Sequence, residues 1–155
     1  MTKLDLTLPV PLYRGISCDV SYPETVGKMI EGNAFYTTCR GVGELSITPY
    51  DIFAPASVDI LPETLGMYIF KEDMNGKSIF TRDVLKYESI EDGETITEYM
   101  LVYWDREVCG ILLHTNHSDL PVDADEFISE LEVIGNIDEN PELLKLFPQL
   151  QEVTE

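Results

Sequence analysis

The sequence predicts a mainly β protein of α+β character. Three observations carry that expectation. β-branched and aromatic runs recur between short polar turns, as in residues 66–88 and 94–115. Turn chemistry such as Asn75-Gly76 and Asp105-Arg106-Glu107 sits between those runs. Helical spacing is confined to two short stretches, one near Val26–Ile30 and one near Leu143–Phe147. At 155 residues and 44% hydrophobic content, the chain can bury a core without metal or disulfide support. One domain over 1–155 is expected, with a subdivision into 1–65 and 66–155.

Taken in order, Leu4, Leu6 and Leu8 alternate with Asp5 and Thr7, the period of a half-buried strand, which Pro9 and Pro11 close. Tyr22-Pro23-Glu24-Thr25 reads as a turn into a short helix carrying Val26, Met29 and Ile30, ended by Gly32-Asn33. Phe35–Cys39 and Leu45–Thr48 are strands separated by the Gly41/Gly43 turn. Ile52–Ile60 is interrupted by Pro55, which limits it to an edge strand or two short pieces. The two runs in 66–88 flank Asn75-Gly76, a pair suited to positive φ in a tight turn. One strand then runs through Tyr99–Trp104, and Val108–Leu113 returns after the Asp105 turn. Val133, Ile134 and Ile137 suit a last strand bent near Gly135. Asn140 as N-cap and Pro141 at the first helical position open a short helix that Pro148 stops. P-E-T-V-G at 23–27 and P-E-T-L-G at 62–66 echo one another as a recurring turn device.

Charge narrows the function classes. The net charge is −19. Residues 1–87 hold eight Lys/Arg against eleven Asp/Glu, whereas residues 88–155 hold only Arg106 and Lys145 against eighteen. Such a surface repels phosphate backbones and anionic lipid, so direct nucleic-acid or membrane binding is disfavoured. Two readings remain: acidic side chains that keep the protein dissolved, or a patch that imitates nucleic acid in another protein's basic groove. No 18-residue apolar run predicts a membrane span, and the N-terminus lacks an export-signal layout. Cys18, Cys39 and Cys109 show no C-x-x-C spacing and read as reduced thiols.

Three stretches resemble the YopX family of phage and prophage proteins. VDILPETLGMYIFKEDMNGKSIFTRDVLKY (58–87) is similar to the family's V-x-P-E-T-V-G-Q-Y-T-G-L-x-D-x-N-G-K-x-I-F-E-G-D-I-V-x-Y. EVIGNIDENPELL (132–144) is similar to its closing signature, E-V-I-G-N-I-Y-E-N-P-E-L-L, and YRGIS (13–17) to an opening F-R-G-K. VYWDREVCGILL sits where the family has a strand, an acidic turn and another strand. Ile60-Leu61 lengthens the approach to P-E-T, Tyr68-Ile69-Phe70 stands for Y-T-G, and Thr81-Arg82-Asp83 stands for E-G-D. The resemblance implies a small β-rich N-terminal part and a barrel-like (SH3-like) antiparallel C-terminal part, closed by the short C-terminal helix. It also implies a phage or prophage origin, and it transfers no catalytic residue.

No catalytic constellation stands out. Cys109, His114 and His117 give C-x4-H-x2-H with Asp119 nearby, but the spacing fits no common zinc site and no second ligand pair exists. Asp119, Asp123, Asp125 and Glu126 lack the ladder and glycine of a calcium loop. Arg40-Gly41-Val42-Gly43 is better explained as a hairpin turn than as a phosphate cradle. LYRGI and FYTT are faintly similar to ADP-ribosyltransferase elements whose glutamate is missing. The expectation is therefore a non-enzyme without metal or cofactor, acting in the bacterial host's cytoplasm by binding and inhibiting a host protein. Its sharper form is an anti-defence inhibitor of the anti-CRISPR type, a DNA mimic whose partner surface comprises Glu91, Asp92, Glu94, Asp119, Asp123, Asp125 and Glu126. The alternative is a self-assembling structural or accessory phage module, a homo-oligomer with Tyr99, Tyr103 and Trp104 at its interface. An undetected hydrolase or transferase comes third.

Overall fold

The computed structural model describes residues 12–37, 45–49, 58–115, 119–121 and 130–148. The chain divides into two compact units, Met1–Leu65 and Gly66–Glu155. The strand expected at residues 4–8 and the Gly41/Gly43 turn lie outside the described residues.

In the first unit, β1 (Tyr13–Ile16), β2 (Met29–Thr37), β3 (Leu45–Pro49) and β4 (Val58–Ile60) form antiparallel pairs in the order β4-β3-β2-β1. Ile47 and Ile60 are buried at its centre, with Tyr13, Ile30 and Leu65 packed around them. The short helix expected near Val26–Ile30 does not form. Residues 20–27 make successive turns, and Met29 and Ile30 instead pair with Ile16 and Gly15. One helical turn is marginal by itself, so strand pairing overrides it. The two P-E-T segments are built alike: the Thr25 hydroxyl donates to Tyr22 O and the Thr64 hydroxyl to Leu61 O, each at 2.7 Å. Both clasp the end of β1, since Thr25 shares a hydrogen bond with the Ser17 hydroxyl and Thr64 Oγ1 accepts from Ile16 N–H. Ser17 also bridges Ile60, drawing the end of β1 and β4 together at one corner. That closeness requires Gly15, where a Cβ would collide with the Ile60 side chain.

The second unit begins with a hairpin of β5 (Gly66–Glu72) and β6 (Ser78–Phe80). An open antiparallel sheet follows, made of β7 (Asp83–Glu91), β8 (Glu94–Asp105), β9 (Gly110–His114), β10 (Asp119–Pro121) and β11 (Glu132–Asn136). Its order is β10-β9-β8-β7-β11. Both faces are covered, which is why β7 and β8 carry adjacent apolar residues instead of strict alternation. On one face Leu85, Met100, Val102, Leu113 and Val133 pack with Ile69 and Ile79 of the hairpin and with Leu131. On the other, Val84 and Leu101 pack under Phe147, with Tyr99, Ile137, Leu143 and Leu146 around them.

The barrel-like expectation gives way to this open sheet: no closed barrel forms among the described residues, and β10 and β11 remain edges. The short C-terminal segment expected to be helical is a 3-10 helix, Pro141–Leu146. Asn140 makes no side-chain cap bond. Gly135 has φ 154°, and a Cβ there would come within 2.6 Å of Asn140 Oδ1 and 3.0 Å of Leu143. The glycine therefore lets the 3-10 segment fold back onto β11.

Two buried carboxylates organise the connections. In the Asp73–Lys77 turn, Asp73 Oδ1 accepts from the N–H groups of Asn75 and Lys77, at 2.9 and 2.8 Å. Its Oδ2 accepts from Val133 N–H at 2.9 Å, which ties the hairpin tip to β11. Asp83 Oδ2 accepts from Phe80 N–H across the corner between β6 and β7. That corner interrupts what the sequence suggested was one run from residue 77 to 88. Arg82, which stands where the family pattern E-G-D has glycine, sits at φ 77°, a left-handed conformation in a non-glycine residue. Phe70, which stands at the glycine of Y-T-G, likewise takes a positive φ, 62°, in the β5 irregularity. The Arg82 side chain donates to Asp138 through Nε at 2.7 Å and Nη2 at 2.8 Å. Asp138 stands where the family's closing signature has tyrosine, so two departures from one pattern meet as a bidentate ion pair.

Removing Asp73 strands a buried N–H of β11 along with two turn N–H groups. Asp73→Ala is expected to cost about 3 kcal/mol in chemical denaturation, with Asp73→Asn costing less. For the corner, Arg82→Ala leaves Asp138, its side chain 7% exposed, without its cation and keeps the left-handed strain. A loss of about 2 kcal/mol is expected. Arg82→Gly relieves the strain, and pairing it with Asp138→Tyr removes the stranded charge. The double variant should recover at least about 1 kcal/mol over the sum of the single losses in a double-mutant cycle.

Candidate functional site

The carboxylates singled out in the sequence divide into three groups. Glu91, Asp92 and Glu94 form the tip of the β7–β8 hairpin and are exposed. Asp119 lies on β10, its backbone opposite His114, which in turn pairs with Leu101 of β8. Seven residues of β8 separate Leu101 from Glu94, roughly 23 Å along the strand. The structure therefore does not bring Asp119 to the tip. Asp123, Asp125 and Glu126 lie outside the described residues.

The tip belongs to a longer feature. β7 and β8 pair from Val84–Leu101 to Glu91–Glu94, whereas β9 meets β8 only at Leu101–Asp105 and β11 meets β7 only at Asp83–Lys86. Among the described residues, 87–98 thus continue past the neighbouring strands as a two-stranded arm, with Tyr87 at its base still packed against the core. Asp92 and Gly93 take φ of 51° and 81°, the positive-φ pair that a two-residue hairpin turn requires. Glu88, Glu91, Asp92, Glu94 and Glu98 give the arm five carboxylates and no cation. At its base, Lys86 reaches Glu88 at 3.3 Å and Glu132 at 3.5 Å. Those partners raise the Lys86 pKa, the hydrogen bond to Glu88 contributing most. Glu91 and Glu94 lie directly opposite one another. Like charges in that arrangement destabilise a strand pair. Ile90 is 78% exposed and Ile96 38%.

Sequence reasoning identified the tip residues and missed the arm. It started the strand at Tyr99, whereas β8 begins at Glu94. Glu88, Ile90, Ile96 and Glu98 went unnoticed as neighbours of the tip. The available signal was Asp92-Gly93, a hairpin pair flanked by Ser89-Ile90 and Thr95-Ile96-Thr97.

The catalytic and metal candidates find no common site. Among the described residues, no group of three or more His, Cys, Asp or Glu is placed to hold a metal ion. Cys109 is exposed in the β8–β9 turn, its thiol donating a hydrogen bond to Arg106 O. His114 is half-buried between the rings of Tyr103 and Phe147, at 6.2 and 6.1 Å. His117 and Cys39 lie outside the described residues. Cys18 is exposed, and partial burial, then Asp59 and Asp19, raise its thiol pKa, which disfavours the thiolate nucleophile. The Tyr68 phenol, hydrogen-bonded to Glu72, is pushed up to about 12 by burial and then by that bond. It stays protonated at neutral pH.

Of the three aromatics considered for self-assembly, Tyr99 is half-buried against the Val84–Leu101–Phe147 cluster and Tyr103 is half-buried against His114. Trp104 is 49% exposed. Among the described residues, no helix is long and apolar enough to cross a membrane.

The family model of YopX protein matches residues 25–145. No curated protein matches the chain. The matched span runs from the first P-E-T turn through the Asp73 turn, the Arg82 corner and the acidic arm to the closing 3-10 helix. The chain belongs to the YopX family.

Proposed function

We propose that the protein is a non-enzymatic interaction protein of phage or prophage origin that binds and inhibits a host protein through the acidic β7–β8 arm. The partner's complementary surface is basic, as in a groove that ordinarily holds nucleic acid, and an anti-defence inhibitor of the anti-CRISPR type is the sharper form of this reading. One observation carries it: Glu91 and Glu94 face each other across the tip of a projecting arm, beside Asp92. That arrangement costs stability. Solubility alone would be served by carboxylates placed anywhere on a unit that already holds twenty-one Asp/Glu against six Lys/Arg. Clustered carboxylates on a ribbon clear of the sheet produce a local negative field that accelerates docking to a cationic groove. The same charges oppose pairing between the arms of two copies, which weighs against the self-assembly reading.

The test is capture of binding partners from bacterial lysate by the wild-type protein and by the Asp92→Asn/Glu94→Lys variant. Asparagine tolerates the positive φ at position 92, and lysine at 94 turns a repelling cross-strand pair into an attracting one. The variant is expected to melt at the same or a higher temperature than wild type. It should nevertheless lose a nucleic-acid-processing or defence partner that wild type retains at low salt and releases at high salt, with affinity down roughly tenfold or more. Undiminished capture by the well-folded variant would sink this reading.

A further inference from the structure

The arm offers a backbone edge as well as charge. In a two-residue hairpin the pair flanking the turn, here Glu91–Glu94, exchanges both backbone hydrogen bonds. Bonding alternates from there, so Glu94, Ile96 and Glu98 bond inward to β7 and the backbone groups of Thr95 and Thr97 point away from it. The same parity continues into the sheet, where Leu101, Tyr103 and Asp105 meet His114, Leu112 and Gly110 of β9. β9 ends opposite Leu101, and among the described residues no strand reaches Thr95 or Thr97.

Exposed edges are ordinarily blunted by lysine, proline, a bulge or a covering element. Thr95-Ile96-Thr97 has none of the first three. It is an uninterrupted β-branched run, paired in unbroken register with β7. Side chains alternate along it: Glu94, Ile96 and Glu98 share one face, and Thr95 and Thr97 the other. A strand laid beside this edge would meet, on one face, acidic, apolar and acidic neighbours in succession.

We propose that the outer edge of β8 at residues 94–98 accepts an extended, Lys/Arg-bearing segment of the partner protein as an added β-strand, with a basic–x–apolar–x–basic pattern beside Glu94, Ile96 and Glu98. This rests on the reading of the arm as the partner surface and names the partner's chemistry. Charge complementarity selects the occupant: the arm's five carboxylates and absence of cations disfavour a second copy and favour a cationic strand. The added strand runs antiparallel to β8, which sets the two residues flanking its apolar position opposite Thr95 and Thr97 as hydrogen-bonded pairs.

The probe is the peptide acetyl-Thr-Lys-Thr-Val-Thr-Lys-Thr-amide, titrated into the intact protein while affinity and backbone amide exchange are measured. Binding is expected to slow exchange at Thr95 and Thr97, with little change at Ile96, whose N–H already bonds β7. N-methylation of the two threonines flanking valine should weaken binding roughly tenfold, because it removes the bonds to the edge while keeping every charge. Thr97→Pro should do the same in a folded protein, since proline is tolerated where an edge N–H faces outward. Equal affinity of the N-methylated peptide, unchanged exchange at Thr95 and Thr97, or no binding of the parent peptide would each overturn the edge proposal. None of these results touches the charge reading, which fails separately if Asp92→Asn/Glu94→Lys captures the same partners as wild type.

Discussion

The second unit depends on the corner at Thr81-Arg82-Asp83. Within three residues the chain turns from β6 to β7 and fastens three other parts of the unit. Thr81 N–H donates to Met67 O while its hydroxyl oxygen accepts from Met67 N–H, fastening β5. Arg82 N–H donates to Val102 O of β8, and Arg82 O accepts from Ile137 N–H just past β11. Asp83 closes the turn through Phe80 N–H, and the Arg82 guanidinium holds the residue-138 loop. A left-handed residue makes these bonds compatible, because it reverses the chain while leaving both Arg82 backbone groups pointing at neighbours. Glycine would adopt that conformation without strain. Arginine accepts about 1 kcal/mol of it, and the bidentate pair with a largely buried carboxylate is strong enough to offset that.

Much of the framework was legible because local chemistry and tertiary role agree. Asn75-Gly76 is a turn pair, and Gly76 does take φ 78°. The spacing of Val133 and Gly135 announced a bent last strand, and the register shifts between those two residues. Disagreement arose where a long-range partner outweighed the local signal. Val26–Ile30 has helical spacing, but Met29 and Ile30 are needed by β1. Pro141 opens a helix, but it is a 3-10 helix of six residues, after which Phe147 packs against Val84 and Leu101. The corner at Arg82 could not be read from residue type, since arginine carries no turn signal. Only the family's glycine at that place pointed to it.

The site was less legible, for a different reason. Eighteen carboxylates in the last sixty-eight residues make any acidic cluster look alike in one dimension. Sequence proximity grouped Glu91 with Asp92 and Glu94 correctly, since a hairpin keeps neighbours together. It also joined Asp119 to them, and register places that residue two strands away and far down the sheet. Glu88 and Glu98 were omitted although they lie on the same ribbon. Distinguishing them needed the extent of pairing beyond the sheet, which no single residue encodes.

The net charge of −19 therefore combines two physically different populations of carboxylate. Asp73 and Asp83 are buried and accept backbone N–H groups, and Asp138 holds a guanidinium. Charged acceptors in such settings stabilise the fold, because their removal leaves buried donors or a buried charge without a partner. Glu91, Asp92 and Glu94 are exposed, with two of them in mutual opposition, and contribute nothing comparable to folding. Two of the first population fall on the family's motif letters, Asp73 on the aspartate of D-x-N-G-K and Asp83 on that of E-G-D, whereas Asp138 replaces its tyrosine. The second population lies between the motifs, on a ribbon whose backbone geometry asks only for Asp92-Gly93 at its turn. None of the hydrogen bonds described at the corner involves a residue of the arm, so the arm's charges and the corner's bonds are separate features of the second unit.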